Sequence, residues 1–222
     1  MKIIAAISMV VVLASMTQAS VTVVTSSANP QQTTAVATYQ TFGDTMDGLI
    51  VTVNGTDSAV WVDTGSQAGA ATGTEWSLAE SGDTWELTSA WTLTSSIGIA
   101  SLMIDAGAGD TMFDIVYGSY LTPNSADGRP FTLVDAGGYE GDLVVTYSGP
   151  VTLIGDSFYG DLYRYMTVAF SEEFSGTLIF RTDTDNAYFP DDIEPTIPAP
   201  GALLLAGIGA AMLRSLRRRQ AV

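Results

Sequence analysis

The sequence predicts an all-β body, an antiparallel β-sandwich or jelly roll, flanked by an N-terminal signal helix and a single C-terminal transmembrane helix. Three observations predict the body. Between Ser20 and Tyr188, apolar residues alternate with polar ones, the period of a strand with one buried face. Clusters of Gly, Asn, Asp and Pro break that pattern every ~8–12 residues, the spacing of short antiparallel strands. No stretch of the body keeps a 3.6-residue period over a helix length.

The chain opens on a segment with the order of an export signal. Lys2 supplies a positive start, Ile3 to Leu13 are apolar except Ser8, and Thr17-Gln18-Ala19 puts small residues at the −3 and −1 positions. Cleavage is expected after Ala19, making residues 1–19 a signal peptide. A buried first helix or strand is the alternative for this segment.

The body, residues 20–188, follows. Leu49 to Val53 and Ala59 to Val62 flank Asn54-Gly55, a hairpin signal because both turn residues tolerate positive φ. Trp85, Leu87, Ser89, Trp91 and Leu93 alternate as one strand. Further strands are expected over 97–104, 111–117, 131–135, 142–147, 151–154, 163–170 and 176–181. No repeat of 20–50 residues is visible, which disfavours a propeller or solenoid. Residues 189–197 are acidic and proline-bearing, an extended spacer.

The tail combines Pro198-Ala199-Pro200-Gly201, an apolar run to Leu213, and the basic residues Arg214, Arg217, Arg218 and Arg219. The 13 uncharged residues from Gly201 to Leu213 reach about 20 Å as a helix, short of a ~30 Å hydrocarbon core. Counting on to Leu216 with Arg214 snorkelling brings the run nearer to a span. The arginines behind it are expected to stay cytoplasmic.

This order of parts resembles the PEP-CTERM sorting signal of Gram-negative bacteria: a short Pro-Glu-Pro-like motif, one apolar helix and a terminal arginine cluster. Ala199 stands where the commonest motif has Glu, so the match is to a Pro-Ala-Pro-Gly variant. The resemblance covers residues 198–222. It implies a membrane-tethered precursor, an exosortase-like processing partner, and a destination at the cell surface or in the extracellular polysaccharide matrix. An ordinary tail anchor would share the same physics.

Composition narrows the chemistry. The 222 residues include 24 acids, 8 bases, no His and no Cys. This removes Ser-His-Asp triads, thiolate catalysis, iron–sulfur clusters, disulfides and His-ligated zinc. Of the bases, only Arg129, Arg164 and Arg181 lie between the terminal segments, against all 24 acids, a net of −21. Such a body repels phosphate backbones, so nucleic acid is not an expected partner.

Two constellations of carboxylates remain. Asp63-Thr64-Gly65-Ser66 resembles the active-site loop of aspartic proteases, and Thr152 to Phe158 resembles the apolar-Gly segment that packs behind it. That chemistry needs two such loops, and the chain has one, so Asp63 would be catalytic only in a homodimer. A hairpin turn explains the same residues. Asp183, Asp185 and Asn186, alternating in a short expected loop, and Asp105 and Asp110, bracketing a Gly-rich one, offer oxygens suited to weakly bound calcium. Neither has EF-hand spacing, and solvated turns are the simpler reading. Paired carboxylates of glycosidase type are the remaining hydrolase option. Glu172 and Glu173, as strand neighbours, cannot share one cleft. Trp61, Trp76, Trp85, Trp91, Tyr159, Tyr163 and Tyr165 are either core or a carbohydrate platform. The sequence thus favours an exported, non-enzymatic surface or matrix protein, with polysaccharide as a partner, over a carboxylate hydrolase.

Overall fold

The computed structural model describes residues 19–27, 29–118 and 121–189. The expected signal helix, sorting motif, apolar tail helix and most of the spacer lie outside the described residues. Among the described residues, no helix is long and apolar enough to cross a membrane.

Fourteen strands form the body, with two 3-10 turns at Gly43–Thr45 and Ala106–Gly109. They are β1 (Val21–Thr25), β2 (Gln31–Thr33), β3 (Ala35–Thr38), β4 (Ile50–Val53), β5 (Asp57–Val60), β6 (Val62–Gly65) and β7 (Ala68–Thr72). There follow β8 (Trp76–Ser81), β9 (Trp91–Asp105), β10 (Thr111–Asp114), β11 (Thr132–Asp135), β12 (Leu143–Leu153), β13 (Leu162–Arg181) and β14 (Asp183–Tyr188). The body is all-β, as the period-two pattern predicts.

Two long strands make the spine. β9 and β13 pair antiparallel from Trp91↔Phe180 to Asp105↔Tyr165, with register shifts between Ala169 and Gly176. Such bulges let a long strand bend. β8 and β4 line the free edge of β9, while β12 and β11 line that of β13. β10 carries the sheet on to β14 and then β3. Most pairs are antiparallel, but β1 and β2 both run parallel to β12.

Several expected strands are pieces of longer ones. Residues 143–147 and 151–153 of two expected strands fall in β12, and 163–170 and 176–181 in β13. The expected strand from Trp85 to Leu93 exists only from Trp91 onward. Residues 83–89 form a turn, closed by Glu86 N–H donating to Asp83 O and Ser89 N–H to Glu86 O. Alternation there arises from a turn that half-buries Trp85 and exposes Leu87, and period two cannot separate the cases. The Asn54-Gly55 hairpin is present: β4 and β5 pair around it, with φ of 52° and 70° at the two residues.

The core is aromatic at its centre. Trp61 and Trp91 meet at 5.2 Å, Trp91 stacks on Phe180, and Phe180 stacks on Phe131. The polar edges of the two indoles are satisfied inside: Trp61 Nε1 donates to Gly43 O at 2.8 Å and Trp91 Nε1 to Thr182 O at 3.1 Å. Trp61 fits because residue 69 is glycine; a Cβ there would stand 2.1 Å from Trp61 Nε1. The bond from Trp91 fixes the chain at Thr182, the residue before β14.

Candidate functional site

The site is built where β10 ends and β14 begins. Asp114 lies directly across from Asp183, and Met112 across from Asp185. Alternation then puts Asp183, Asp185 and Asp114 on one face of the sheet. All three are buried, at 0%, 2% and 1% exposure for Asp114, Asp183 and Asp185. Each offers a carboxylate oxygen, and the three atoms lie within 4.8 Å of one another.

The loop from Thr122 to Arg129 wraps this cluster. Gly128 N–H donates to Val116 O, Arg129 N–H to Asp114 O, and Asp183 N–H to Arg129 O. Ser125 Oγ stands 2.8 Å from Asp114 Oδ2 and 2.7 Å from Asp185 Oδ2. One hydroxyl proton can serve only one of those oxygens. Asp183 Oδ1 accepts from Thr84 Oγ1 and Thr184 N–H, both at 2.9 Å. Asp185 Oδ1 is buried with no hydrogen-bond partner. Close by, the buried Asp161 is satisfied by the N–H and hydroxyl of Thr122.

Carboxylates so placed resist ionisation. Burial pushes Asp114 up to about 8, and the charge of Asp185 adds to it. Burial likewise raises Asp183 to about 8, against the pull of the Thr84 bond, with Asp185 and Asp114 adding. Asp185 rises to about 7 through burial, opposed by Ser125 and reinforced by Asp161 and Asp83.

A cavity of about 240 Å³ lies beside this cluster, lined by Tyr39, Gln40, Asp83, Trp85, Glu86, Ala126 and Asp127. Trp85 stacks on Tyr117 at 6.1 Å, and the guanidinium of Arg129 lies 4.8 Å over its ring. Residues adjacent in sequence line the two features. Ala126 and Asp127 follow Ser125, and Asp83 precedes Thr84.

The sequence-derived candidates fall in different places. Asp183 and Asp185 come together, on a strand rather than in the expected loop. Asn186 is not with them: it accepts from Thr41 Oγ1 and donates to Thr45 O. Asp105 is engaged by Arg164, whose Nε and an η nitrogen donate at 2.7 and 3.0 Å. Asp110 takes a left-handed conformation at the end of the second 3-10 turn. Asp63 sits on the exposed strand β6 and accepts from Gly65 N–H at 2.5 Å. β6 pairs with β7. Residues 151–153 pair instead with β2. Glu172 and Glu173 are exposed. Trp61, Trp76, Trp91 and Tyr163 are core residues, while Trp85 is half-buried and lines the cavity.

Asp114, Ser125, Thr84 and Gly128 are not among the sequence-derived candidates. Asp114 interrupts the apolar stretch Met112-Phe113-Ile115-Val116 inside the strand expected over 111–117, and a single acid on such a strand reads as a solvent-facing position. Its partnership with β14 depends on a pairing that no local pattern reports. No family model matches the chain, and neither a curated protein nor a solved structure does.

Proposed function

We propose that this chain is an exported, non-enzymatic protein of the cell surface or extracellular matrix whose β body binds polysaccharide. In this reading residues 1–19 direct export, and the body is a two-layered sandwich of jelly-roll type. The tail is a membrane helix bearing a PEP-CTERM-like signal, processed near Pro198 to Gly201 by an exosortase-like enzyme.

The cavity at Trp85 is the observation that carries the binding role. Pyranose rings present C–H faces that pack on aromatic rings and hydroxyls that need acceptors and donors. Tyr39 and Trp85 supply the first, and Asp83, Glu86, Asp127 and Gln40 the second. At about 240 Å³ the cavity is smaller than the ~300–1,000 Å³ of drug-sized sites, which suits one sugar ring of a longer chain. Its acid-rich wall and the net charge of −18 over residues 20–188 (3 Arg against 21 Asp and Glu) favour neutral or amino sugars over anionic ones.

Affinity electrophoresis against the producing organism's own matrix polysaccharide tests this. Retardation by wild type and its loss in Trp85→Ala is expected; equal mobility of the two defeats the reading. Turnover of the polysaccharide that disappears when Asp83, Glu86 or Asp127 is neutralised would make the protein a hydrolase instead. Deleting residues 198–222 is expected to abolish surface or matrix retention, and unchanged localisation would remove the sorting role.

A further inference from the structure

We propose that Asp114, Asp183 and Asp185 form a divalent-cation site, selective for calcium, at the junction of β10, β14 and the loop 122–129. Two independent observations meet there. The first is the donor set: three carboxylates from two paired strands, with ligand atoms within 4.8 Å of one another. The second is Asp185 Oδ1, in a side chain 1% exposed, which no hydrogen-bond donor reaches. A buried acceptor left unpaired has given up its hydration with no bond in return.

Among the described residues, no ion pair is found to these carboxylates. The one ion pair found among the described residues is Arg164–Asp105. Arg129, the base in the wrapping loop, places its guanidinium over Trp85. Hydroxyl donors are too few, because Ser125 shares one proton between two carboxylates. A hard cation supplies what the cluster lacks. Three carboxylates offer up to six oxygens, and Ser125 Oγ is in reach of two of the three residues. Calcium accepts 6–8 oxygens in flexible geometry, whereas magnesium keeps several of its waters. Burial of all three side chains leaves little room for a hydrated ion, and this favours calcium. The site is separate from the sugar cavity and stands whether or not that cavity binds saccharide.

The test uses the full chain in mild detergent, stripped with EDTA and titrated with calcium chloride by calorimetry and thermal melting. One calcium per chain is expected. At a hundredfold excess over Kd, Tm should rise by about 5–10 °C, with a smaller rise in magnesium. Asp185→Asn and Asp114→Asn should each lose the response and melt, without metal, no lower than stripped wild type, because each removes one carboxyl from a crowded buried cluster. Asp63→Asn, at an exposed turn, should bind as wild type does. No calcium binding by wild type, an equal response to magnesium, or calcium binding retained by both cluster variants overturns the assignment. Failure of both variants to fold also overturns it, since the carboxylates would then be a proton-bearing structural network.

Discussion

A Cβ placed on Gly128 would stand 2.0 Å from Oδ1 of Asp114, 2.2 Å from its Cγ and 2.5 Å from its backbone carbonyl carbon. The wrapping loop therefore lies directly against the carboxylate, and the contact includes backbone that cannot swing away. Gly128→Ala is expected to cost at least about 1–3 kcal/mol by overpacking, read as a Tm lower by several degrees. The calcium response should weaken with it, because the loop carries Ser125. A thermal melt indistinguishable from wild type would show that the loop yields without cost.

Glu80 predicts an inverted pH dependence. It lies on the core-facing side of β8 with Trp76 and Leu78, is 2% exposed, and neither carboxylate oxygen has a partner. Burial, then the charges of Asp83 and Asp44, raise it from 4.5 to about 8. The folded state therefore holds the proton more tightly than the unfolded chain. Its contribution to stability is complete below pH 4.5 and is lost as pH rises through 8, at up to about 1.4 kcal/mol per pH unit. Chemical denaturation of wild type and Glu80→Gln across pH 5–9 checks this. The variant should lose that much of the downward slope, and parallel curves would refute the prediction.

Tyr147 is a second internal polar tie. Its hydroxyl accepts from Phe131 N–H at 2.8 Å and lies 2.7 Å from Thr182 Oγ1. Tyr147→Phe keeps the ring in the core but strands the buried Phe131 N–H. A loss of about 1–3 kcal/mol is expected, measurable by urea unfolding with an unchanged m-value. Thr182→Val, which removes the other partner but leaves Phe131 satisfied, should cost less.

The calcium site and the sugar cavity share the segment Ser125–Asp127, so the two proposals together predict coupling. Calcium should tighten saccharide binding to wild type by a few-fold and leave Asp185→Asn unaffected. Affinity electrophoresis with and without EDTA reads this directly. Equal retardation of wild type in both conditions would separate the two sites.

Much of the fold was legible because burial on one face imposes a two-residue period, as along β9 and around the Asn54-Gly55 hairpin. What the pattern could not carry was continuity and pairing. The turns expected inside β12 and β13 follow from Gly149-Pro150 and from residues 171–176. In the structure these are irregular positions within continuing strands. The site was half visible. Asp183 and Asp185 stood out as spaced acids, but acids normally mark solvent, and they read as a loop with Asn186. They pair with β10, where Asp114 stands some seventy residues earlier, through a register that only the folded sheet defines.

The parallel placement of β1 and β2 against β12 bears on the order of assembly. Val21 pairs with Leu143 and Gln31 with Val151, so the first two strands find their seats only after more than a hundred further residues exist. Contacts this distant in sequence put the body among slow folders, in the millisecond-to-second range. A chain delivered across a membrane amino end first would carry its leading strands unpaired until β12 had followed. The edge of β12 would meanwhile stand open to any other extended segment. Under the proposed export, a window would open in which the amino-terminal strands of one copy could dock on β12 of another, a route to strand-exchanged assemblies.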